Sequence, residues 1–339
     1  MGECMSQPED GRTKNPLLTV SVAAYEVEDT IESALASLTD PRVVDDIEVL
    51  VVDDGGRDGT MARVERYAAS FPSIHPVYKE NGGYGSVINR TIGLARGKYF
   101  KQLDGDDWYK TDHLASLVAM LGSCDADCII TPRLNVDQSR RREHLVDCLE
   151  DYPEGLYTFD QVTFRPAMGM HEICYRTRIL QAMDKSLSEH CFYTDVELVY
   201  LPLPLLETLY VSHQPIYCHR VGVDGQSISK RGVRAHYREH ERVLWRLLDT
   251  YQSLPDSDSG KRRVLGQRLV DEICGQFHWF CYLSPTPAHM HELIAFDRRL
   301  RGRCPELVDQ ASRASRRVSI LRKSRFLAYP ILCAIEATR

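Results

Sequence analysis

The sequence predicts an α/β protein whose mostly parallel sheet is flanked by helices, with a helical appendage at the C-terminal end. Two observations carry this prediction. From Leu17 to Leu121, short β-branched runs alternate with segments of helical periodicity, the pattern of consecutive strand–helix units. From about Val233 onward, long helical patterns replace this alternation. With 339 residues, 43% of them hydrophobic, the chain can form about two domains with a sizeable core.

Four strands are predicted in the first half, and the second of them, IEVLVV, is almost continuously apolar, as a strand covered on both faces would be. The predicted strands cover residues 17–23, 47–52, 74–78 and 99–103. The helices between them are marked by Ile31, Ala34, Leu35 and Leu38, by Met61, Val64 and Ala68, and by the segments 87–95 and 111–121. Thr111 or Asp112 is expected to cap the last of these helices. Three longer helices are predicted over residues 233–252, 262–283 and 287–301.

The composition excludes some classes of function. Forty-two Lys and Arg residues against 48 Asp and Glu give a net charge of −6, so we expect no nucleic-acid partner. Residues 1–16 are polar, so neither a secretory signal nor a membrane anchor is expected there, and a cytoplasmic location is predicted. The eleven cysteines include no Cys-x-x-Cys pair and are expected to be free thiols.

Acidic residues follow three of the predicted strands. The first strand leads into Tyr25 and Glu26, the second into Asp53 and Asp54, and the fourth into the segment DGDDW at 104–108. Because the carboxyl ends of parallel strands meet at one rim, these carboxylates would repel one another unless a cation is bound there. Oxygen ligands suit Mg²⁺ or Mn²⁺, and such an ion usually completes its shell with phosphate oxygens. The alternative interpretation of DGDDW is an exposed turn.

A glycine-rich loop, Asn81-Gly82-Gly83-Tyr84-Gly85, precedes one of the predicted helices. Such a loop lets the backbone approach a ligand closely, and the free N–H groups at the start of the helix suit anionic oxygens. It is not a dinucleotide-binding fingerprint, because Ile88 stands where the third glycine would be, and the chain has no phosphate-loop motif.

The order of three segments resembles the nucleotide-sugar-binding half of family 2 glycosyltransferases, which have the GT-A fold. These segments are LTVSVAAYEVEDTIESAL, VLVVDDGGRDGT and ENGGYGSVINRTIGLARGKYFKQLDGDDW. A looser resemblance continues through MHEICYRTRIL and CFYTDVELVYLPLP to about Ser229. It implies a glycosyltransferase domain at 16–230 with a nucleotide-sugar half (16–130) and an acceptor half (131–230). The residue patterns on either side of this domain predict a disordered tail at 1–15 and a helical C-terminal region with a basic and apolar end at 231–339.

The resemblance implies a metal-dependent, inverting hexosyltransferase. Its donor would be a UDP-sugar, its cofactor Mn²⁺ or Mg²⁺, and its acceptor a hydroxyl of a glycan, with a lipid-linked glycan as one form, in cell-surface polysaccharide or glycolipid synthesis. Two alternatives are a sugar-1-phosphate nucleotidyltransferase and a non-catalytic nucleotide-sugar-binding scaffold. The first would need a basic glycine-rich loop after the first strand, whereas AAYEVEDT is acidic.

The resemblance also implies roles for single residues. Ala23 and Tyr25 stand where the family holds the uracil ring, Asp54 where a carboxylate accepts from the uracil N–H, and Asp104 and Asp106 at the ribose-contacting and metal-binding positions. The predicted nucleotide-sugar contacts are Ala23, Tyr25, Glu26, Asp53, Asp54, Asn81, Gly82, Gly83, Asn89, Asp104 and Gly105. The predicted metal ligands are Asp106 and Asp104. Asp195 stands at the catalytic base, and Glu197 is the second candidate for that role. Further contacts to acceptor or diphosphate are predicted for His171, Asp107, Trp108, Glu197, Gln226 and Ser227.

Two other patterns leave alternatives open. His236, Glu239 and His240 match an inverted zinc-protease motif, and the same segment is equally an amphipathic helix with Tyr237 and Leu247 inward. Between Arg298 and Arg325 lie ten basic and two acidic residues, followed by the apolar run Phe326 to Ile335. One interpretation is peripheral attachment to the anionic inner face of the plasma membrane, and the other is a docked final helix with a solvated basic face.

Overall fold

A computed structural model of the chain describes residues 15–222 and 230–338. Within these ranges the strands are β1 (Leu18–Ala24), β2 (Ile47–Asp53), β3 (Ile74–Tyr78), β4 (Tyr99–Asp104), β5 (Trp108–Tyr109), β6 (Cys128–Ile130), β7 (Arg133–Asp137), β8 (Arg142–Val146), β9 (Gly155–Thr158), β10 (Ile173–Arg176), β11 (Thr208–Val211) and β12 (Tyr217–Arg220). The helices are α1 (Ile31–Ala36), α2 (Thr60–Ser70), α3 (Tyr84–Leu94), α4 (Thr111–Leu121), α5 (Thr177–Gln181), α6 (Thr194–Tyr200), α7 (Lys230–Ser253), α8 (Ser259–Phe280), α9 (Pro287–Arg303), α10 (Pro305–Ala314), α11 (Arg316–Lys323) and α12 (Tyr329–Ala337).

The described residues form two compact units. The sheet unit contains the chain up to Thr158, together with Met168–His190 and Leu205–Gly222. The helical unit contains Phe159–Ala167, Cys191–Pro204 and the chain from Lys230 onward. The predicted α/β architecture with a helical C-terminal region is therefore confirmed. Among the described residues, no helix combines the length and the hydropathy that crossing a bilayer requires.

The main sheet of the sheet unit has eight strands in the order β3-β2-β1-β4-β10-β6-β11-β9. The first four strands are mutually parallel, and β10 lies antiparallel between β4 and β6. A second sheet has the order β5-β12-β7-β8. Strand β2 is buried along its whole length, as its apolar sequence predicts, because helices cover both faces of the sheet. The core includes Val20 and Val49 from the strands and Leu114 and Leu117 from α4.

The element boundaries differ from the predictions by a few residues, and two of these differences matter for the site. Strands β2 and β4 each end one residue later than predicted, so Asp53 and Asp104 are the last residues of their strands. Helix α3 begins at Tyr84 rather than residue 87, directly after Gly83 with its positive φ of 81°. The predicted cap of α4 is wrong: Lys110, with extended backbone, precedes the helix, and no side chain among the described residues caps it.

Strand β10 was not predicted, and its position is tied to β4 by a buried lysine. The Lys101 ammonium group on β4 donates to the carbonyl oxygens of His171 at 2.9 Å and Ile173 at 3.3 Å. Burial lowers the pKa of Lys101 to about 8. These bonds fix the segment that enters β10 and so determine where the His171 side chain lies.

Candidate active site

The acidic residues predicted at the strand ends lie at one rim of the main sheet. In the parallel register, Ala23 on β1 pairs with Asp104 on β4, and Ala24 pairs with Asp53 on β2. The backbone continues this alignment beyond the strands, since Gly105 N–H donates to the Ala23 carbonyl at 3.0 Å. A Cβ at position 105 would lie 2.7 Å from that carbonyl oxygen, so glycine is required for the close approach. The structure therefore brings the three predicted strand ends together.

The first loop of this rim presents an aromatic ring and a carboxylate to solvent. Tyr25 is 48% exposed, and Glu26 is exposed with a left-handed backbone at φ 51°. A hydrogen bond to α2 holds this loop in place, because the hydroxyl of Thr60, the first residue of α2, accepts from Val27 N–H at 3.0 Å. Tyr25 is thus an exposed ring on a braced turn, a geometry that suits stacking against a planar ligand.

The Asp54 carboxylate shapes the glycine-rich loop. Its Oδ1 accepts from Gly82 N–H at 2.9 Å and from the Lys79 ammonium group at 2.6 Å, and its Oδ2 accepts from Gly83 N–H at 2.9 Å. Asn81 donates from Nδ2 to the Asp54 carbonyl at 2.9 Å. The predicted site residues Asp54, Asn81, Gly82 and Gly83 are therefore one bonded assembly. Each carboxylate oxygen has two acceptor positions, so Oδ2 retains capacity for another donor.

The neighbouring Asp53 has a local partner. Its Oδ1 accepts from Gly56 N–H at 2.8 Å, and its side chain is buried. This bond closes the turn after β2, which continues through Gly55 at a positive φ of 77°. Asp53 thus stabilises the turn from which Asp54 reaches the glycine-rich loop.

Tyr84 connects the glycine-rich loop to the acidic segment, and sequence reasoning did not single it out. Its hydroxyl donates to Oδ1 of Asp104 at 2.6 Å and lies 3.1 Å from Sδ of Met170. Its place in the glycine-rich motif, as the first residue of α3, is the signal that could have identified it. Lys79 was missed for a similar reason, since it stands directly after β3.

Three carboxylates after β4 form a compact group. Ligand oxygens of Asp104, Asp106 and Asp107 lie within 4.8 Å of one another. Asp106 is exposed, whereas Asp107 is buried and accepts from the Tyr217 hydroxyl at 2.7 Å and from Arg220 N–H at 2.6 Å. Burial raises the pKa of Asp107 to about 7, against the opposing effect of these two hydrogen bonds. Asp107 is therefore braced by β12, and Asp106 is the carboxylate open to a ligand.

Two histidines lie beside this group. The ring of His171 stacks on His219 with centroids 4.6 Å apart and meets the edge of Tyr217 at 4.6 Å. Ligand atoms of Asp107, His171 and His219 also lie within 4.8 Å of one another, so these side chains form a second group with metal-binding chemistry. Burial lowers the pKa of His171 well below its usual value, so its imidazole is neutral. His171 was predicted, and His219 was missed. His219 lies on β12, which pairs with β5 next to Trp108, and this pairing brings His219 to the acidic segment.

Trp108, which was predicted to contact acceptor or diphosphate, lies next to an arginine. The Arg220 guanidinium lies 5.1 Å from the centre of the Trp108 ring, and its Nε donates to the Asp106 carbonyl at 2.8 Å. Arg220 thus fixes the backbone of the acidic segment and stacks on its aromatic residue.

The Asn89 amide is engaged with the segment after α5. Its Nδ2 donates to the Leu187 carbonyl at 3.0 Å and to the Glu189 carboxylate at 3.1 Å, and its Oδ1 accepts from Leu187 N–H at 2.9 Å. These bonds hold residues 187–189 against α3. A nucleotide-sugar contact by Asn89 stays a prediction, and it would compete with these partners.

Asp195 belongs to the helical unit and lies in the first turn of α6. The helix begins at Thr194 and is preceded by Tyr193 in a left-handed conformation, so Asp195 is not the capping residue of the helix. Burial raises the pKa of Asp195 above its usual value, and the charge of Glu272 adds to this effect while that of Arg268 opposes it. A carboxylate with a raised pKa is suited to take up a proton near neutral pH.

Arg268 and Glu272 form part of a buried charged network on α8. Arg268 pairs with Glu272 at 2.5 Å, and the other oxygen of Glu272 is hydrogen-bonded to Nε2 of His240, whose Nδ1 meets Gln276 at 2.5 Å. His240 is therefore a satisfied core histidine, and the amphipathic interpretation of residues 236–240 is the one the structure supports. Sequence reasoning missed Arg268 and Glu272, although their spacing of four residues places them on one face of α8.

The remaining predicted positions have different surroundings. Glu197 is buried on α6 and pairs with Arg246 at 3.4 Å. The hydroxyl groups of Tyr193 and Thr194 are buried without a hydrogen-bond partner among the described residues. Tyr193 also packs against Trp279, with ring centres 4.9 Å apart. Gln226 and Ser227 lie outside the residues that the structure describes.

Comparison with curated proteins finds polysaccharide synthases. The chain is 28% identical over 175 residues to a chondroitin synthase of Escherichia coli, a match that covers 51% of this chain and 24% of that protein. It is 30% identical over 123 residues to a hyaluronan synthase of Pasteurella multocida, covering 36% of this chain and 13% of that protein. The chain thus spans much less than two thirds of the length of these relatives.

Comparison with solved structures shows the fold. The crystal structure of S. aureus TarS 1-349 in complex with UDP-GlcNAc matches with a TM-score of 0.70 at 17% identity, covering 95% of this chain and 91% of that chain. The family model described as glycosyl transferase family 2 matches residues 19–191, which is half of the chain and includes the strand rim, the glycine-rich loop and the acidic segment. This chain accordingly has the GT-A fold and belongs to glycosyl transferase family 2.

Proposed function

We propose that this protein is an inverting glycosyltransferase that transfers a sugar from a UDP-sugar to a hydroxyl group of a glycan acceptor. The observation that supports it best is the juxtaposition of Asp104, Asp106 and Asp107 at the rim where the glycine-rich loop begins. Such a rim offers oxygen ligands for a cation and backbone N–H groups for phosphates. The polysaccharide synthases among the relatives support an acceptor that is a growing cell-surface polysaccharide or glycolipid, with a lipid-linked glycan as one form.

The donor would lie along the strand rim. Tyr25 would stack on the uracil ring beside Ala23 and Glu26, and the spare capacity of Asp54 Oδ2 would accept the uracil N–H. Asp104, oriented by Tyr84, would contact the ribose, next to Gly105.

The acidic segment fits a hard divalent cation, because its donors are closely spaced carboxylate oxygens and Asp106 is exposed. Asp106 and Asp104 would hold Mn²⁺ or Mg²⁺, whose chemistry is to neutralise the negative charge that develops on the leaving diphosphate. Asp107 is braced from β12 and would keep the segment in place. The neutral His171, with Trp108, would line the acceptor or diphosphate side.

Asp195 is assigned as the general base. Its carboxylate would take the proton of the acceptor hydroxyl while that oxygen forms a bond to C1 of the sugar, and the bond from C1 to the diphosphate oxygen breaks to release UDP. Attack opposite the leaving group inverts the anomeric centre. The unpartnered hydroxyl groups of Tyr193 and Thr194 are polar atoms that a glycan could satisfy. Glu197, paired with Arg246, is the less suitable base.

The test is a UDP-release assay with a panel of UDP-sugars, with and without Mn²⁺ or Mg²⁺, and with glycan oligosaccharides as acceptors. The proposal expects metal-dependent release that increases with acceptor, and a product whose anomeric configuration, read by NMR, is opposite to that of the donor. Formation of a nucleotide sugar from a sugar-1-phosphate and UTP would show a nucleotidyltransferase instead. Binding of UDP-sugar without turnover by any acceptor would favour the scaffold.

A further inference from the structure

The final helix of the helical unit packs through one side. Tyr329, Cys333 and Glu336 of α12 are buried, and the Tyr329 hydroxyl donates to the Phe280 carbonyl at 3.0 Å. The Glu336 carboxylate pairs with Arg317, and the backbone carbonyl of Glu336 accepts from the Lys230 ammonium group at 3.0 Å. This helix is therefore anchored to α7, α8 and α11 by polar contacts as well as by packing.

The other side of this segment is apolar and faces solvent. Leu327, Ile331 and Ile335 follow one another at intervals of four residues and are 74%, 64% and 43% exposed. We call these three residues the apolar ridge. Residues four apart share one face of a helix, so Ile331 and Ile335 stand side by side on α12, and Leu327 precedes them in the turn before the helix. The basic residues lie in the preceding segments, so this helix is docked on one side and exposes branched aliphatic side chains on the other.

A cavity lined by basic residues, which we call the basic cavity, includes the residues that directly precede the apolar ridge in the sequence. Its volume is about 510 Å³, and Arg301, Arg322, Lys323 and Arg325 line it together with Phe326, the residue that directly precedes Leu327. Arg322 is neutralised by carboxylates, since it lies 3.3 Å from Asp297 and 3.4 Å from Asp309. The other three basic residues are exposed. The cavity therefore carries a net positive charge at the surface.

An apolar ridge next to clustered basic side chains matches the chemistry of an anionic bilayer. Aliphatic side chains enter the boundary between headgroups and acyl chains, and Lys and Arg side chains bind the phosphates above it. Helix α12 has nine residues, too few to span a bilayer, so it would lie in the plane of the interface. We propose that the apolar ridge and the basic cavity form a docking surface for an anionic lipid membrane, with the cavity accepting lipid phosphate groups.

Vesicle flotation of the full chain tests this surface. Vesicles of phosphatidylcholine with and without phosphatidylglycerol are compared at low and high salt. We expect co-flotation with the anionic vesicles, loss of it in high salt, and little binding to pure phosphatidylcholine. Added inorganic phosphate should not displace the protein at concentrations similar to the accessible lipid; displacement would indicate a site for a free phosphate and would overturn the docking proposal.

Matched variants separate the two parts of the surface. Ile331→Asn combined with Ile335→Asn should lower the partition coefficient about tenfold or more, because two aliphatic side chains lose their burial in lipid. The control is Leu156→Asn, since Leu156 is 62% exposed in the sheet unit and is as accessible as Ile331. Both variants change exposed side chains, so their melting temperatures should equal that of the unmodified protein.

The basic part is tested by Lys323→Gln combined with Arg325→Gln. We expect binding to anionic vesicles to fall roughly fivefold for each charge removed and the salt dependence to weaken. The control removes two exposed charges elsewhere, Arg178→Gln with Lys185→Gln, and should bind as the unmodified protein does.

Three outcomes would overturn the proposal. The first is equal flotation of the ridge variant and the unmodified protein, and the second is binding that does not depend on anionic lipid. The third is a dimer, measured by light scattering, that the ridge variant converts to a monomer while vesicle binding stays absent; the ridge would then be an interface between two copies of this chain.

Discussion

The hydroxyl of Tyr84 donates a hydrogen bond of 2.6 Å to Oδ1 of Asp104. This bond joins the first residue of α3 to the last residue of β4, so the glycine-rich loop and the acidic segment are held in a fixed relation. One oxygen of Asp104 is thereby held in a defined direction. The two motifs that sequence analysis treated separately are one bonded structure.

Replacing Tyr84 with phenylalanine should weaken donor binding with little loss of stability. The ring stays in place, but Asp104 loses a hydrogen bond to a charged group, which is typically worth about 1.5–3 kcal/mol. We expect the KM for the UDP-sugar to rise roughly tenfold or more and kcat to change less. Steady-state UDP release gives both constants. The control is Tyr157→Phe, because the Tyr157 hydroxyl donates to the Pro153 carbonyl at 3.0 Å on the edge strand β9, at the other end of the sheet from β3. An unchanged KM in Tyr84→Phe would contradict the positioning role.

Replacing Asp106 or Asp107 with asparagine should have different effects on the melting temperature of the protein. Asp106 is exposed, so Asp106→Asn should leave the melting temperature unchanged and abolish the increase that UDP and Mn²⁺ together produce. Asp107→Asn should lower the melting temperature without ligand, because its buried carboxylate accepts from Tyr217 and Arg220. Thermal-shift measurements with and without UDP and Mn²⁺ separate the two effects. A destabilised Asp106→Asn variant would argue against an open metal ligand.

Asp195→Asn should remove most turnover and leave donor binding intact. General-base assistance contributes about 10²–10⁴ in rate, so kcat should fall by that factor while the KM for the donor is nearly unchanged. Glu306→Gln is the control, because Glu306 is an exposed carboxylate on another helix of the same unit. Retained turnover in Asp195→Asn would transfer the base role to another residue.

Arg268 should set the pH at which this base works. A base role for Asp195, as proposed, requires its deprotonated form, so kcat should rise with pH to a plateau, with its midpoint above the usual aspartate value because burial raises the pKa of Asp195. Arg268 opposes that shift and Glu272 adds to it, so Arg268→Met should move the midpoint to higher pH and Arg268→Lys should restore it. The pH profile of kcat distinguishes this from simple destabilisation, which would lower the plateau without moving the midpoint.

Glu272 should make stability depend on pH within the helical unit. Burial alone would raise the pKa of Glu272, but Arg268 and His240 overcome it and lower the pKa to about 2. Since the pKa of the folded state is below that of the unfolded state, the stabilisation is complete above about pH 4.5 and is lost as the pH falls toward 2. Glu272→Gln should therefore cost roughly 3 kcal/mol in unfolding free energy at pH 7, and the difference should shrink by pH 3, as measured by urea unfolding.

The strands and helices that form the rim could be predicted because their sequence periods are strong. Val20 and Val49 belong to short β-branched runs, and α4 has its predicted bounds, since Leu114 and Leu117 mark a clear apolar face. Strand β10 could not be found in this way. It is four residues long, and its place between β4 and β6 depends on the distant contact from Lys101 to His171.

The candidate site likewise combines features that could be predicted from the sequence with features that could not. Asp53, Asp54 and Asp104 could be placed at one rim, because parallel strands align their ends. The residues that form hydrogen bonds with the acidic residues of the rim could not be predicted. Tyr84, Lys79 and Tyr217 come from separate segments, and no local sequence pattern links them. The network around Asp195 is a similar case, because Arg268 follows it by more than seventy positions and affects its pKa only through the tertiary fold of the helical unit.

The bonds from Asp54 to Gly82 and Gly83 have a consequence for the energetics of recognition. A loop already drawn into its final shape by an internal carboxylate surrenders little conformational entropy when a ligand arrives, so more of the contact energy is expressed as affinity. Asp54→Asn should weaken the bonds that hold this loop in shape, so the loop would lose conformational entropy when UDP binds. Titration calorimetry should then show a more unfavourable entropy of binding for UDP.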